Sequence, residues 1–451
     1  MTQELTHFLR QFPDVQTLEL LTSDLNGMIR GKRIERPMFE KVFSDGVALP
    51  GSLYALDATG TTVEETGLGL ETGDSDRLCY PIAGTLSITP WQKDRAQAII
   101  SMVEQDGTTP FCADPRQVLV HQLNQFASLG LQPVVAVELE FYLVDRERDA
   151  VNGLQPPQSL NTGRRMNTTQ CYSMDDLDDY DAFIQRTLEM ARAQNLPADG
   201  VIAEYAPGQF EVNLHHCHDP LQAADHALML KRIIRHTARE FGLEATFMAK
   251  PYIDQAGSGT HIHLSLLDAQ GQPLFAGSDP ETHPPLRHAI GGLLATADAT
   301  QALLFPTINS YRRLTSGDFA PHAKTWAFDN RTVALRIPSG DPENFRVEHR
   351  VAGADVNPYL AVAVVLAGVN YGLQHQLDPG APVVGNAYEQ DHATLADNPR
   401  DALRAFAESD WLKTQFDPEF LRIYEACKWH ETQLFEQQVT AMELDLLLPY
   451  L

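Results

Sequence analysis

Acidic and histidine side chains recur at every second position in the middle of the chain. Glu138 and Glu140 stand in VVAVELEFYLV, Glu211, Asn213 and His215 in QFEVNLHH, and His261, His263 and Ser265 in GTHIHLSL. On a β-strand, residues i and i+2 share a face. Each segment therefore presents one polar face, opposite an apolar face made by Val137, Leu139 and Phe141, by Phe210, Val212 and Leu214, or by Ile262, Leu264 and Leu266. A lone E-x-E on a strand is more often a solvent-facing alternation, but the apolar flanks here point to a buried sheet. Glu204 adds a further carboxylate just before a Pro-Gly turn leading to Glu211, and a fourth segment reads Arg346-Val-Glu348-His-Arg350. Carboxylates crowded away from bulk water are costly unless cations neutralise them. Oxygen ligands joined by one or two histidines suit Mg²⁺ or Mn²⁺. Arg312, Arg313, Arg331, Arg336, Arg346 and Arg350 cluster late in the chain. Their planar forks grip carboxylate and phosphate bidentately. Metal ions plus arginines spread the charge that develops in phosphoryl transfer. His215, His216 and His218 form a weaker metal candidate, because Asp219-Pro220 starts a helix directly after them. The chain has neither a P-loop nor a Rossmann glycine motif, so a nucleotide must be held in another way.

The elements that position these residues follow from pattern. Residues 3–11 read as a helix, and QTLELLTSDLNGMIRGKRI as two strands joined at Asn26-Gly27. The acidic, Gly/Thr-rich stretch 55–76 is too long for a plain connector. Asp114-Pro115 marks the start of a helix running to about Ser128. Beyond it, strands alternate with helices expected at 178–195, from Pro220 to about Phe241 and at 285–300. Strands are expected at ATFMAK, 332–337 and 345–351, a surface loop at 152–170, and mostly helices thereafter. This is an α+β pattern, with a domain boundary near PFCADPRQ that divides the chain into 1–112 and 113–451.

The chain has 451 residues, 43% hydrophobic and 21% charged, ordinary for a globular protein, and its net charge of −26 argues against non-specific nucleic-acid binding. Its five cysteines are scattered without a CxxC pair, which fits a reducing cytoplasm. No apolar stretch is long enough to span a membrane, and the N-terminus lacks a signal-peptide core.

In order along the chain, VELEFYLVD, EYAPGQFEV, MAKPYIDQAGSGTHIHLSL, NSYRRL, NRTVALRIP and RVEHRVAGADVNPYL resemble the glutamine synthetase superfamily. The resemblance runs over nearly the whole chain. It implies a small N-terminal β-grasp domain and a large catalytic domain with a curved antiparallel sheet. It also implies a homo-oligomeric ring (hexamer or dodecamer) with active sites between neighbours. The implied reaction uses ATP as co-substrate and two or three Mg²⁺ or Mn²⁺ ions to phosphorylate the γ-carboxylate of L-glutamate, after which an amine displaces the phosphate. Carried over by position, Glu140, Glu204 and Glu211 resemble the ligands of one metal, and Glu138, His261 and Glu348 those of a second. Gly257, Arg313 and Arg350 match glutamate-binding positions. Arg331 and Arg336 match catalytic clamps on the transferring phosphoryl group, and His263, Ser265 and Arg346 match nucleotide contacts.

The departures concern the amine. Ammonia-using members carry an acid and a serine where this chain has Pro50 and Leu53, and a flap glutamate where it has Phe319. An ammonium ion loses binding charge there, while an alkylamine gains apolar contact. The chain thus resembles most the γ-glutamylpolyamine (γ-glutamylputrescine) synthetases, with Glu64, Glu65 or Asp318 as candidates to hold a distal ammonium. Ligation of small monoamines, a true ammonia-using glutamine synthetase and a non-catalytic ring member are the rival readings. Intact ligand positions speak against the last. An asparagine of the family is Ala256 here, which removes one glutamate contact. Tyr388 falls near a tyrosine that some members modify with AMP, but its flanks fit an ordinary surface tyrosine better.

Overall fold

The computed structural model describes residues 2–149, 153–168, 170–277, 283–314 and 319–451. Its strands make two sheets. The first contains β1 (Thr17–Ser23), β2 (Ile29–Glu35), β3 (Val47–Pro50), β4 (Asp76–Pro81), β5 (Ser87–Thr89) and β6 (Gln92–Met102). Its order is β2-β1-β6-β4-β3 with β5 beside β6, and β1 runs parallel to β6. The β1–β2 turn falls where Asn26-Gly27 places it. The Asp24 carboxylate accepts from the amides of Asn26 and Met28, each at 2.9 Å. Gly27 has φ 73°, and a Cβ there would come within 3.2 Å of the Asn357 backbone. The left-handed conformation therefore favours glycine, and the close approach adds to it.

The second sheet contains β7 (Gln132–Asp145), β8 (Ala198–Ala203), β9 (Gln209–Leu214), β10 (Leu243–Thr246), β11 (Thr260–Leu267), β12 (Trp326–Phe328), β13 (Leu335–Ile337) and β14 (Val347–His349). The order is β12-β13-β14-β11-β7-β9-β8, with β10 beside β7. Neighbours are antiparallel except β12 and β13. The alternation works as the residue pattern dictates. Val137, Leu139, Phe141, Phe210, Val212, Leu214, Ile262 and Leu264 are all buried in the core. Helix Pro220–Glu240 packs against β7 and contributes Leu230, Ile233 and Ile234 to that core. Helices Pro284–Leu304 and Pro358–His375 pack on each other. This is the α+β architecture expected, with a small N-terminal sheet and a large curled one.

Buried charge ties the first sheet to helix Pro220–Glu240, and that helix to its neighbours. Glu19 on β1 takes Arg33, Arg95 and, from helix Pro220–Glu240, Arg232. Trp91 stacks on His236 of the same helix at 4.0 Å. Arg116 grips Asp225 at 3.0 and 3.1 Å, and the Tyr359 hydroxyl donates to the same carboxylate at 2.6 Å.

Several boundaries differ from the sequence expectation. The helix expected over 178–195 is two helices, Met174–Asp179 and Asp181–Ala193, broken at Tyr180. The Tyr180 ring is buried against Phe210, a tertiary contact that local pattern does not reveal. ATFMAK is strand only through Thr246. The helix expected at 285–300 extends over Pro284–Leu304, and β13 and β14 are shorter than 332–337 and 345–351. The 55–76 stretch holds two short 3₁₀ turns, and the Arg422 guanidinium of helix Pro418–Glu436 donates to the carbonyls of Glu65 and Thr66. Among the described residues, no helix is long and apolar enough to cross a membrane.

Candidate active site

The register of the second sheet assembles the polar side chains. Glu138 on β7 lies opposite His261 on β11 and Asn213 on β9, while Glu140 lies opposite Glu211. Further along, His263 faces Glu348 on β14, and Glu348 faces Arg336 on β13. Glu204 follows β8 at the turn into β9, where its amide donates to the Gln209 carbonyl at 2.9 Å. Period-two alternation on five adjacent strands thus lines one concave face with acid, histidine and arginine.

Glu140, Glu204 and Glu211 present oxygens within 4.8 Å of one another. Glu138 joins two further groups of the same tightness, one with Glu211 and His261 and one with His263 and Glu348. His261 Nδ1 lies 3.1 Å from Glu138, its Nε2 3.6 Å from Glu140, and His263 Nε2 2.9 Å from Glu138. Burial pushes the Glu211 carboxyl far up, helped by the charges of Glu138, Glu140 and Glu204. Burial and Glu140 raise Glu204. Burial also opposes ionisation of Glu138, but hydrogen bonds from His261 and His263 overcome it and hold that carboxyl low. Protein groups alone therefore bias Glu204 and Glu211 toward their protonated forms, as expected of an oxygen-rich cage for divalent cations without its ions. The donor set fits Mg²⁺ or Mn²⁺.

Arg313 and Arg350 are buried beside the acid cluster. Glu348 is 1% exposed and bonded by Arg336 at 2.8 Å and by Arg350. Burial opposes its charge, but Arg350, His261, His263 and Arg336 outweigh it and keep Glu348 below the usual carboxylate range. Arg313 is buried and donates to the Val351 carbonyl at 2.8 Å. It reaches the cluster because Gly257 and Gly259 carry no side chain. A Cβ on Gly257 would sit 2.7 Å from Arg313 Cγ, and one on Gly259 2.6 Å from its guanidinium. The Gly259 amide donates to Glu140 at 2.7 Å. The Nε atoms of Arg313, Arg336 and Arg350 are buried without a hydrogen-bond partner. Arg331 is exposed in the turn before β13, and its charge acts on Glu204. His263, Ser265 and Arg346 line one cavity of about 610 Å³ that reaches Glu138 and takes in His216 and Phe345.

Other residues singled out from the sequence are placed elsewhere. Pro50 pairs with Asp76 across β3 and β4, and Leu53 is buried in the 3₁₀ turn Gly51–Ala55, so both belong to the first sheet region. Glu64 is engaged locally, accepting from the Leu70 amide at 2.9 Å, while Glu65 is exposed. Asp318 lies outside the described residues. His215 pairs with Asp199 at 2.7 Å, and no group able to hold a metal among the described residues includes His215, His216 or His218. The Tyr388 ring stacks on His322 at 6.1 Å with its hydroxyl buried, a poor acceptor for modification.

Phe319 is 45% exposed, has φ 53°, and its ring meets that of Tyr205 at 6.3 Å, edge to face. Tyr205, next to Glu204, was not evident from the sequence. Neither was Gln209, which donates to Glu140 at 3.4 Å and to the Gly257 carbonyl at 3.1 Å. Its position two residues before Glu211 carries the signal, since both share a strand face. Tyr172, exposed with φ 62°, stands within electrostatic reach of Glu204 and Arg331.

Residues 112–447 match the family described as glutamine synthetase, catalytic domain. The chain belongs to this family. It is 43% identical to the gamma-glutamylputrescine synthetase PuuA of Escherichia coli (strain K12), over 99% of this chain and 94% of that protein. It is 31% identical to a glutamate–isopropylamine ligase of Pseudomonas sp, over 96% of this chain and 94% of that protein. The solved structure "Apo GmaS without ligand" superposes with a TM-score of 0.86 at 26% identity, covering 99% of this chain and 100% of that one.

Proposed function

We propose that this enzyme uses ATP to ligate the γ-carboxylate of L-glutamate to a primary alkylamine, with putrescine as the diamine substrate. A γ-carboxylate oxygen attacks the γ-phosphorus of ATP and ADP leaves. The amine nitrogen then attacks the γ-carbonyl carbon of the acyl phosphate and inorganic phosphate leaves. The observation that carries this reading is the convergence of three acid-rich groups with Arg313, Arg336 and Arg350 on one sheet face. Such a site is built for two anionic reactants brought together in a dry, positively compensated space. Similarity to relatives named for putrescine and isopropylamine supports an amine larger than ammonia.

Within this reading, Glu140, Glu204 and Glu211 hold one divalent cation. Glu138, His261 and Glu348 would hold a second, which would supply positive charge against the phosphates; Glu138 is grouped with His261 through Glu211 and with Glu348 through His263. Arg313, Arg350 and Gly257 seat glutamate, and Gly257 leaves room for the Arg313 side chain. Arg331 and Arg336 steady the phosphoryl oxygens. His263, Ser265 and Arg346 wall the nucleotide cavity. Pro50, Leu53 and Phe319 shape the amine pocket. In the proposed ring of six or twelve, Pro50 of β3 and Leu53 of the following 3₁₀ turn are brought to this site by a neighbouring copy. The exposed Met442, Leu446, Leu447 and Leu448 near the C-terminus also favour association. The division at residues 112 and 113 and a cytoplasmic location, consistent with five free cysteines, complete the proposal.

The test is glutamate-dependent ADP release with putrescine, spermidine, short monoamines or ammonia. Strong turnover with alkylamines and weak turnover with ammonia is expected. Preference for monoamines over putrescine would replace the diamine, and preference for ammonia would make this a glutamine synthetase.

A further inference from the structure

Tyr205 and Phe319 form an aromatic ledge beside the acid cluster. Tyr205 lies in the tight turn that closes β8 onto β9, between Glu204 and Glu211, and is 51% exposed. Phe319 reaches it from a different part of the chain with a bulky side chain on a left-handed backbone. A bulky residue at positive φ is strained, and such strain persists where function holds it. Two large rings left half in water, leaning on each other beside Glu204, are apolar surface with no role in the core.

We infer that these rings are the surface on which the methylene chain of the amine lies, making Tyr205 a specificity-determining residue alongside Phe319. The inference rests on the alkylamine reading above and adds to it the physical basis of chain-length selection. Glu204 fixes one end of the ledge, next to the place where the acyl phosphate forms under that reading. An alkyl chain running outward from there covers the rings and is covered by them. Ammonia gains nothing from such contact. Each methylene buried contributes roughly a fourfold gain in affinity.

The test measures KM for ethylamine, propylamine, butylamine and putrescine in the wild-type enzyme and in Tyr205→Ala, Tyr205→Phe and Phe319→Ala. In the wild type, KM should fall roughly fourfold per methylene. In Tyr205→Ala and Phe319→Ala, the series should flatten and KM for butylamine should rise about tenfold, with KM for glutamate and ATP unmoved. Tyr205→Phe keeps the ring and should keep the slope. An active wild type whose alanine variants retain the full slope overturns the ledge alone. A loss spread equally over glutamate, ATP and amine shows a structural role and also overturns it. A wild type that uses no alkylamine removes both the function proposed above and this inference.

Discussion

Two buried carboxylates of the same site should respond in opposite directions to the same neutral substitution. Glu348 is ionised against Arg336 and Arg350, whereas Glu211 is pushed toward its protonated form by burial and by Glu138, Glu140 and Glu204. Replacing Glu348 by Gln takes from Arg350 its counter-ion and leaves Arg336 with Asp329 alone. Breaking a buried pair in this way costs about 3–5 kcal/mol. With an unfolding entropy of ~2.1 cal/mol/K per residue, a 451-residue chain loses about 3–5 °C in Tm. Glu211→Gln is an isostere of the neutral state that the metal-free protein already prefers. In EDTA it should unfold no lower than wild type. Signs differ with pH as well. The stabilising contribution of Glu348 is present above the ordinary carboxylate pKa and fades as pH falls through its lowered value. The raised Glu211 makes wild type lose ground to E211Q as pH rises past the ordinary carboxylate pKa. Adding Mn²⁺ at about a hundredfold over its Kd should stabilise wild type by ~2.7 kcal/mol, and E211Q should forfeit most of that gain. Differential scanning calorimetry of wild type, E348Q and E211Q with EDTA and with Mn²⁺ reads all six states. Equal destabilisation of E211Q and E348Q in EDTA would refute the reasoning.

Two further outcomes test the contacts that helix Pro220–Glu240 makes with the first sheet region and with its neighbouring helices. Burial, Arg232 and Arg239 push the pKa of His236 from 6.5 to about 4. Its neutral form therefore supports the Trp91 contact at full strength above pH 6.5, and that stability is lost as pH falls toward 4. His236→Phe should flatten this acid limb in thermal unfolding scans, and an unchanged limb would contradict the assignment. Asp225→Asn should lower stability by about 3 kcal/mol by stranding Arg116, against about 1 kcal/mol for Tyr359→Phe, as measured by urea unfolding.

What the sequence made legible is what period-two alternation encodes. Glu138, Glu140, Glu211, His261 and His263 declared a common face because each sits on a strand whose other face is apolar. The β1–β2 turn was legible at Asn26-Gly27 for a steric reason local to the chain. The pairing of strands was not, so the contact of His263 with Glu138 and the grip of Arg336 and Arg350 on Glu348 appear only with the register of β7, β11, β13 and β14. Tyr180 broke an expected helix because its ring is claimed by Phe210, far off in sequence. Tyr205 went unnoticed for a like reason. Its partner Phe319 is more than a hundred residues away, and only the fold makes the pair.

Phosphoryl activation of the glutamate carboxylate before amine attack is the central claim. The most direct measurement follows oxygen from glutamate labelled with ¹⁸O in its γ-carboxylate, turned over with ATP and putrescine and read by mass spectrometry. The expected result is one ¹⁸O in each inorganic phosphate released, together with γ-glutamylputrescine formed in step with ADP. Unlabelled phosphate would contradict it.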